Sequence, residues 1–318
     1  MNIQVVKNSK VLDYKSFIFP AGEIGIKLNA NDYNYRDSNT APHQTIVARL
    51  QNSNDVFGLA LVKDALARFD KTPINLFMPY IPYARQDRVC VKGESFSLKV
   101  LCDYINHLKF NKVTVCDPHS LVAEALIDRV HVISQFDIIN RWLEFTNRAK
   151  DCVLVSPDAG SNKKTAEIAK YFNHENFVRA DKLRNLETGE IKETIVYCDD
   201  FSGRDVCVID DLADGARSFT ELAKVCKKKN CVKFVLYVTH GIFSKGMKIL
   251  LDNGIDEIWT TNSFESVVVR YAEECQKTTE YPMRVFNVNN FIVQREIIGY
   301  ERITGNMVKN IYAPCGSL

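Results

Sequence analysis

The sequence predicts an α/β protein of two domains, each a parallel sheet flanked by helices. Three observations carry that expectation. From Thr45 onward, short β-branched runs such as TIVARL, INLFMP and VTVC alternate with stretches whose apolar residues recur at helical spacing. Several runs are apolar throughout and stop at carboxylates, as Val206-Cys207-Val208-Ile209 does at Asp210 and Asp211, a pattern expected of strands buried on both faces. The chain has 318 residues, enough for two domains of ordinary size, each with its own core.

Before Thr45 the chain offers short strand-like pieces and the segment FIFPAGEIGIK, in which Pro20-Ala21-Gly22 makes a turn between two β-rich runs. A first cycle follows: strand TIVARL, a helix over 55–69, strand INLFMP, a long polar loop, a helix over 97–108 and strand KVTVCDPH. The second cycle opens at Cys152 with strand CVLVSPDAG, a helix over 163–172 and strand FVRA. It continues through strand VCVI, helical spacing at Phe219, Leu222 and Ala223, strand KFVLYVTHG, helix SKGMKILLDNG and strand EIWTTN. The boundary is expected within 142–150, giving domains 1–146 and 147–318. No Pro-rich or Ser-rich linker is visible there, so the two domains are expected to pack directly and share a cleft.

Composition excludes several classes. The sequence is 46% hydrophobic and 25% charged, with a formal charge of only +2 and no basic run beyond Lys227-Lys228-Lys229, so no nucleic-acid partner is expected. No apolar stretch reaches membrane-spanning length, and the amino terminus MNIQVVKNSK lacks a signal peptide's basic region and apolar core. A cytoplasmic protein without membrane association is expected. Ten cysteines occur singly in apolar runs without any C-x-x-C pair, and read as reduced core residues.

The strand ends collect the chemistry. Asp210, Asp211 and Asp214 lie between a buried strand and a helix amino terminus, where α/β sheets bind ligands: acids can hold ribose hydroxyls and amides a phosphate. The alternative is an ordinary strand-to-helix turn with aspartate capping. Tyr83-Ala84-Arg85-Gln86-Asp87-Arg88 offers two guanidinium groups suited to phosphate or to stacking on a base. His119, after Asp117-Pro118, is either a capping histidine or a ligand beside a metal-bound triphosphate. Asp158 opens a Gly-containing loop that runs into a helix, an arrangement able to hold a metal. The nearby GSNKKT lacks the G-x-x-x-x-G-K-[ST] spacing of a P-loop.

Nine pieces, FPAGE, NDVFGLALVKDAL, PYIPYARQDR, the S-x-K of SFSLKVLCDYI, VTVCDPH, VSPDAG, ADKLR, VIDDLAD and VTHGIFS, occur in an order that resembles the ribose-phosphate pyrophosphokinases, over about Phe17 to Ser263. The resemblance implies two tandem phosphoribosyltransferase-like domains, 1–146 on the ATP side and 147–318 with the ribose and diphosphate loops. It implies transfer of the β,γ-diphosphate of MgATP to the C1 hydroxyl of a phosphorylated ribose, with release of AMP and with Mg²⁺ as cofactor. Arg85, Gln86 and Asp87 are then ATP-binding residues, with Phe19 and Glu23 reaching adenine from a neighbouring subunit, in a homo-oligomer from dimer to hexamer. His119 and Asp158 would belong to the metal-triphosphate centre, and Lys182 and Arg184, with His119, would be catalytic. Asp210, Asp211, Asp214, Gly215, Ala216, Arg217 and Ser218 would hold the acceptor.

The sequence departs from the family at Ala21, at Ser161, Lys163 and Lys164, and most of all at Arg217, where the family's D-T-x-G-T has a glycine. A terminal 5-phosphate would be wrapped differently here, so ribose 5-phosphate and ADP-ribose stand as equal candidates for acceptor. Two other classes compete: a phosphoribosyltransferase, against which FPAGE and YARQDR argue, and an inactive regulatory homologue, against which Lys182, Arg184, His119 and the three aspartates argue.

Overall fold

The computed structural model describes residues 1–7, 10–29, 44–69, 71–184, 191–215, 217–264 and 283–289. They form an α/β protein in two compact units, one built mainly from Met1–Ser134 and the other mainly from Gln135–Asn262. The division thus falls at Ser134/Gln135, earlier than the expected 146/147, because Ile139, Trp142, Phe145 and Ala149 are buried with the second unit's core.

The first unit holds β1 (Ile3–Lys7), β2 (Lys10–Leu12), β3 (Tyr14–Ile18), β4 (Ile24–Leu28) and β5 (Gln44–Ala48). After these come α1 (Ser53–Phe69), β6 (Ile74–Met78), α2 (Ser97–His107), β7 (Val113–Cys116), α3 (Leu121–Leu126) and β8 (Val130–Ile133). Its sheet runs β2-β1-β5-β6-β7-β8, parallel from β5 to β8 and antiparallel where β1 meets β2 and β5. Every residue of β5, antiparallel to β1 and parallel to β6, is buried, as a central strand covered on both faces requires. Helix α1 starts where Asn52 Oδ1 accepts the Asp55 amide at 2.9 Å and the Asp55 carboxylate returns to the Gln51 amide at 3.0 Å. It then buries Gly58, Leu59, Val62 and Leu66, one face of the helix.

Strands β3 and β4 form a separate hairpin closed by FPAGE. The Gly22 amide donates to the Phe19 carbonyl at 2.8 Å, Pro20 supplies the fixed φ of the turn, and Gly22 takes φ +91°, open to a residue without Cβ. The hairpin leaves Phe17, Ile18 and Phe19 exposed, Phe17 and Phe19 meeting edge to face at 5.0 Å.

The second unit holds α4 (Gln135–Arg141), α5 (Leu143–Lys150), β9 (Val153–Ser156), a short 3-10 turn at Ala159–Ser161, α6 (Asn162–Tyr171), β10 (Val178–Arg184) and β11 (Ile191–Val196). It continues with β12 (Val206–Ala213), α7 (Arg217–Lys228), β13 (Phe234–Gly241), α8 (Lys248–Leu251), β14 (Glu257–Thr261) and β15 (Met283–Phe286). The sheet order is β11-β10-β9-β12-β13-β14-β15, parallel except for the β10–β11 pair. Trp142, Phe145, Tyr237 and Trp259 pack together in its core, with the Trp142 and Trp259 rings 5.1 Å apart.

Besides α3, β8, α4, α5 and β15, which the sequence reading left unassigned, several elements differ from it. Strand β12 does not stop before Asp210 but runs to Ala213, since Asp210 still pairs with Val238 and Ala213 with Gly241. The FVRA strand continues to Arg184 because IKETIV, unassigned from sequence, forms β11 and pairs with it. Of the helix expected in SKGMKILLDNG only α8 forms: Gly246 turns the chain at φ +83°, its amide on the Phe243 carbonyl. Six of the cysteines, Cys102, Cys116, Cys152, Cys207, Cys226 and Cys231, are buried and free, each thiol pushed up chiefly by burial. No described helix is long and apolar enough to cross a membrane.

Candidate active site

In the first unit, polar residues gather after β6 and β7. Tyr83 holds φ +62° and Asp117 φ +35°, conformations that cost energy for residues with a side chain and concentrate at functional loops. The Gln86 amide donates to the Tyr83 carbonyl at 2.8 Å, and the Leu98 amide to the Gln86 carbonyl at 3.3 Å, tying the loop to the start of α2. Arg85 and Gln86 are exposed, whereas Asp87 is buried. The Asp87 carboxylate takes Arg88 Nε at 2.7 Å and its second nitrogen at 3.2 Å. That hydrogen bonding, with Ser120 and the nearby His119 against the effect of burial, holds Asp87 ionised down to about 2. Asp87 therefore turns toward Arg88 and the His119 loop, while Arg85 and Gln86 face outward. His119 itself is exposed at the carboxyl end of β7. Phe19 and Glu23 are exposed on the FPAGE hairpin.

In the second unit the ends of β9, β10 and β12 bring Asp158, Lys182, Asp210 and Asp211 together. Asp158 caps the turn after β9: its Oδ1 accepts the Ser161 amide and hydroxyl, both at 3.2 Å, and its Oδ2 accepts Lys182 Nζ at 2.9 Å. Burial works to raise the carboxyl, but Lys182 and the Ser161 donors outweigh it and hold Asp158 below its ordinary value. An ionised, oxygen-only ligand suits Mg²⁺, which takes one or two carboxylates and completes its shell with water and phosphate. Among the described residues no cluster of three or more His, Cys, Asp or Glu forms a metal cage.

Asp210 sits in the strand itself. Its Oδ1 accepts the Asp211 amide at 2.9 Å, and Gln135, buried at the start of α4, donates to the Asp210 carbonyl at 2.8 Å. Burial, then the charge of Asp211, push the Asp210 carboxyl well above its usual range, and Asp158 adds to the effect. Asp214 and Gly215 follow in the turn, half-buried, and Arg217 opens α7 with its side chain exposed. Ser218 is half-buried, and Ala216 lies outside the described residues. Arg184 ends β10, and only its backbone is described.

Because its folded value is raised, Asp210 favours folding most where it is protonated and loses that advantage as pH rises from its ordinary value of 3.8. Asp210→Asn, which keeps the oxygen facing the Asp211 amide, should raise the thermal midpoint of the ligand-free protein at pH 7.5 by about 2–4 °C. The gain should disappear below about pH 4. A lower midpoint at pH 7.5 would show that the charge is not strained.

The model of the Phosphoribosyl synthetase-associated domain matches residues 150–300. A ribose-phosphate pyrophosphokinase of Mycoplasmopsis pulmonis is 27% identical over 218 residues, 67% of this chain and 66% of that protein, just under two thirds of its length. One from Pasteurella multocida is 27% identical over 250 residues, 77% of this chain and 76% of that protein. The crystal structure of phosphoribosylpyrophosphate synthetase from Mycobacterium smegmatis superposes with a TM-score of 0.72 at 17% identity, covering 90% of each chain. The chain is similar to the ribose-phosphate pyrophosphokinases over two thirds or more of its length. The match to the domain model takes in Asp158, Lys182 and the turn after β12, the cluster that the second unit assembles. Within this ribose-phosphate pyrophosphokinase fold, sequence reasoning had passed over Gln135, Ser161 as a partner of Asp158, and Phe219, whose ring lies under the Lys182 ammonium at 5.9 Å. A lone Gln or Phe carries no motif; only the fold reveals what it touches.

Proposed function

We propose that the chain transfers the β,γ-diphosphate of MgATP to the C1 hydroxyl of a 5-phosphorylated ribose and releases AMP. The observation that carries this reading is the cluster of Asp158, Lys182, Asp210 and Asp211 at neighbouring strand ends, in a chain whose relatives are named ribose-phosphate pyrophosphokinase. In the reaction the acceptor oxygen forms a bond to the β-phosphorus, the bond from that phosphorus to the α-phosphate oxygen breaks, and the hydroxyl proton leaves. Such a transfer builds charge on phosphoryl oxygens and asks the protein mainly for positioning and cations. Asp158 would hold Mg²⁺, whose chemistry is to neutralise phosphate charge and align the diphosphate. Lys182 and Arg184 would supply cations, and Asp210, Asp211 and Asp214 would orient the ribose hydroxyls. Arg85, Gln86 and His119, with Asp87 steadying the loop, would serve the triphosphate.

Exposed Phe17, Ile18 and Phe19 support a composite site, in which Phe19 and Glu23 serve the adenine of a neighbouring subunit within a homo-oligomer of at least two chains. Light scattering should find an assembly; a fully active monomer would end this part of the reading.

The acceptor is ribose 5-phosphate or an extended relative, ADP-ribose. Arg217, exposed at the first position of α7, favours admitting the second. A cation there can pair with a further phosphate beyond the first, at a helix end that already favours anions. Purified protein with MgATP should release AMP with both acceptors, and Arg217→Gly should shift preference toward ribose 5-phosphate by about tenfold, the size of one charge-assisted contact. ADP-ribose left untouched, with a ratio unmoved by Arg217→Gly, would leave ribose 5-phosphate alone. No AMP with either acceptor would overturn the transfer reading itself.

A further inference from the structure

We infer that Phe219 is a positioning residue for Lys182, an inference that rests on the transfer reading. The Lys182 side chain is only 7% exposed, unusual for a lysine, whose ammonium ordinarily reaches water. Two groups hold it. One is the Asp158 carboxylate at 2.9 Å, and the other is the Phe219 ring, 5.9 Å from ammonium to centroid. Phe219 is itself buried in the first turn of α7, the helix that packs against β11, the antiparallel partner of the strand carrying Lys182.

The two holds differ in kind. A carboxylate keeps a cation in place by cancelling its charge, and a lysine engaged by Asp158 has little left to offer a phosphoryl oxygen. An aromatic face keeps a cation in place through its quadrupole and leaves the full charge available. When Asp158 takes on a metal ion, Lys182 loses its first partner and keeps its second. The ring then keeps the ammonium near the strand ends instead of letting a flexible four-carbon stem carry it into solvent. Phe219 follows Arg217 and Ser218 in the same helical turn, so the residue that positions the cation is fixed to the loop proposed for the acceptor.

The test compares Phe219→Leu with Phe219→Tyr. Leucine keeps apolar volume without a π face, and tyrosine keeps the face. Phe219→Leu should lower kcat about tenfold with the KM for ATP unchanged, and Phe219→Tyr should stay within about twofold of the parent. Independently of turnover, an amine-directed reagent mapped by peptide mass should label Lys182 several-fold faster in the leucine variant. Lys7, comparably buried at 6% in the other unit, should label at its parental rate. A parental kcat in Phe219→Leu, a tyrosine variant as slow as the leucine one, or unchanged labelling of Lys182 would each overturn the role of Phe219. Failure of the underlying reading looks different: the parent protein itself would then release no AMP with either acceptor, whatever the labelling showed.

Discussion

Lys182→Ala is expected to cut turnover by about two to three orders of magnitude while leaving ATP binding nearly intact. In the proposed transfer the ammonium would act where charge develops on the moving diphosphate, so its removal would weaken the transition state more than the ground state. The structure adds a second consequence. Burial would raise the Asp158 carboxyl, and Lys182 together with the Ser161 donors outweighs it, so without Lys182 that carboxyl should titrate at higher pH. Because the depressed value contributes stability above the ordinary carboxylate range, and loses it as pH falls, the alanine variant should show less acid-dependent destabilisation than the parent. Steady-state kinetics with nucleotide-binding titrations check the first claim. Near-normal kcat would remove Lys182 from the mechanism.

The largest expected loss of stability lies at the opposite strand ends. Arg148 on α5 donates Nε to Glu257 at 2.9 Å and a terminal nitrogen to Glu257 at 3.0 Å and to Asp205 at 2.7 Å, all three side chains less than a quarter exposed. One planar fork thus ties a helix to the starts of β12 and β14. Arg148→Ala leaves two half-buried carboxylates facing each other and should cost about 2–3 kcal/mol at pH 7.5. Burial acts to raise Glu257, but Arg148, with hydrogen bonds from Lys233 and Trp259, outweighs it and holds that carboxyl low, so its share of the stability fades as pH falls through the folded value. Both tryptophans of the chain, Trp142 and Trp259, lie in this unit's core, so urea denaturation followed by their fluorescence reports this unit. A midpoint unchanged from the parent would reduce the network to a surface feature.

The alternation of strands and helices was legible because buried parallel strands are short, apolar runs, and TIVARL, VTVC and VCVI declare themselves. Strand β11 was not legible: IKETIV is half polar and owes its form to pairing with β10. The end of β12 was misread for a related reason, since Asp210 and Asp211 look like a loop while backbone pairing to β13 carries the strand through them. At the candidate site, motif order pointed to Asp158, Lys182 and the aspartates by residue type alone. What sequence could not supply was the pairing among them: Lys182 on Asp158, Gln135 beneath Asp210, and Asp87 turned to Arg88.

The burial of six thiols bears on how the chain can be studied. With each buried thiol held away from its reactive thiolate form, a maleimide or iodoacetamide reagent near neutral pH meets Cys90 first among the described cysteines, for it is the exposed one. Cys90 lies five positions after Arg85, in a loop pinned where the Glu94 carboxylate accepts the Cys90 and Val91 amides at 2.9 and 3.0 Å. Among the described cysteines Cys90 is thus the labelling handle, and a dye fixed there would sit on the loop that bears Arg85 and Gln86. If that loop serves the triphosphate as proposed, the arrival and departure of a nucleotide could be timed optically there, ahead of any chemical step.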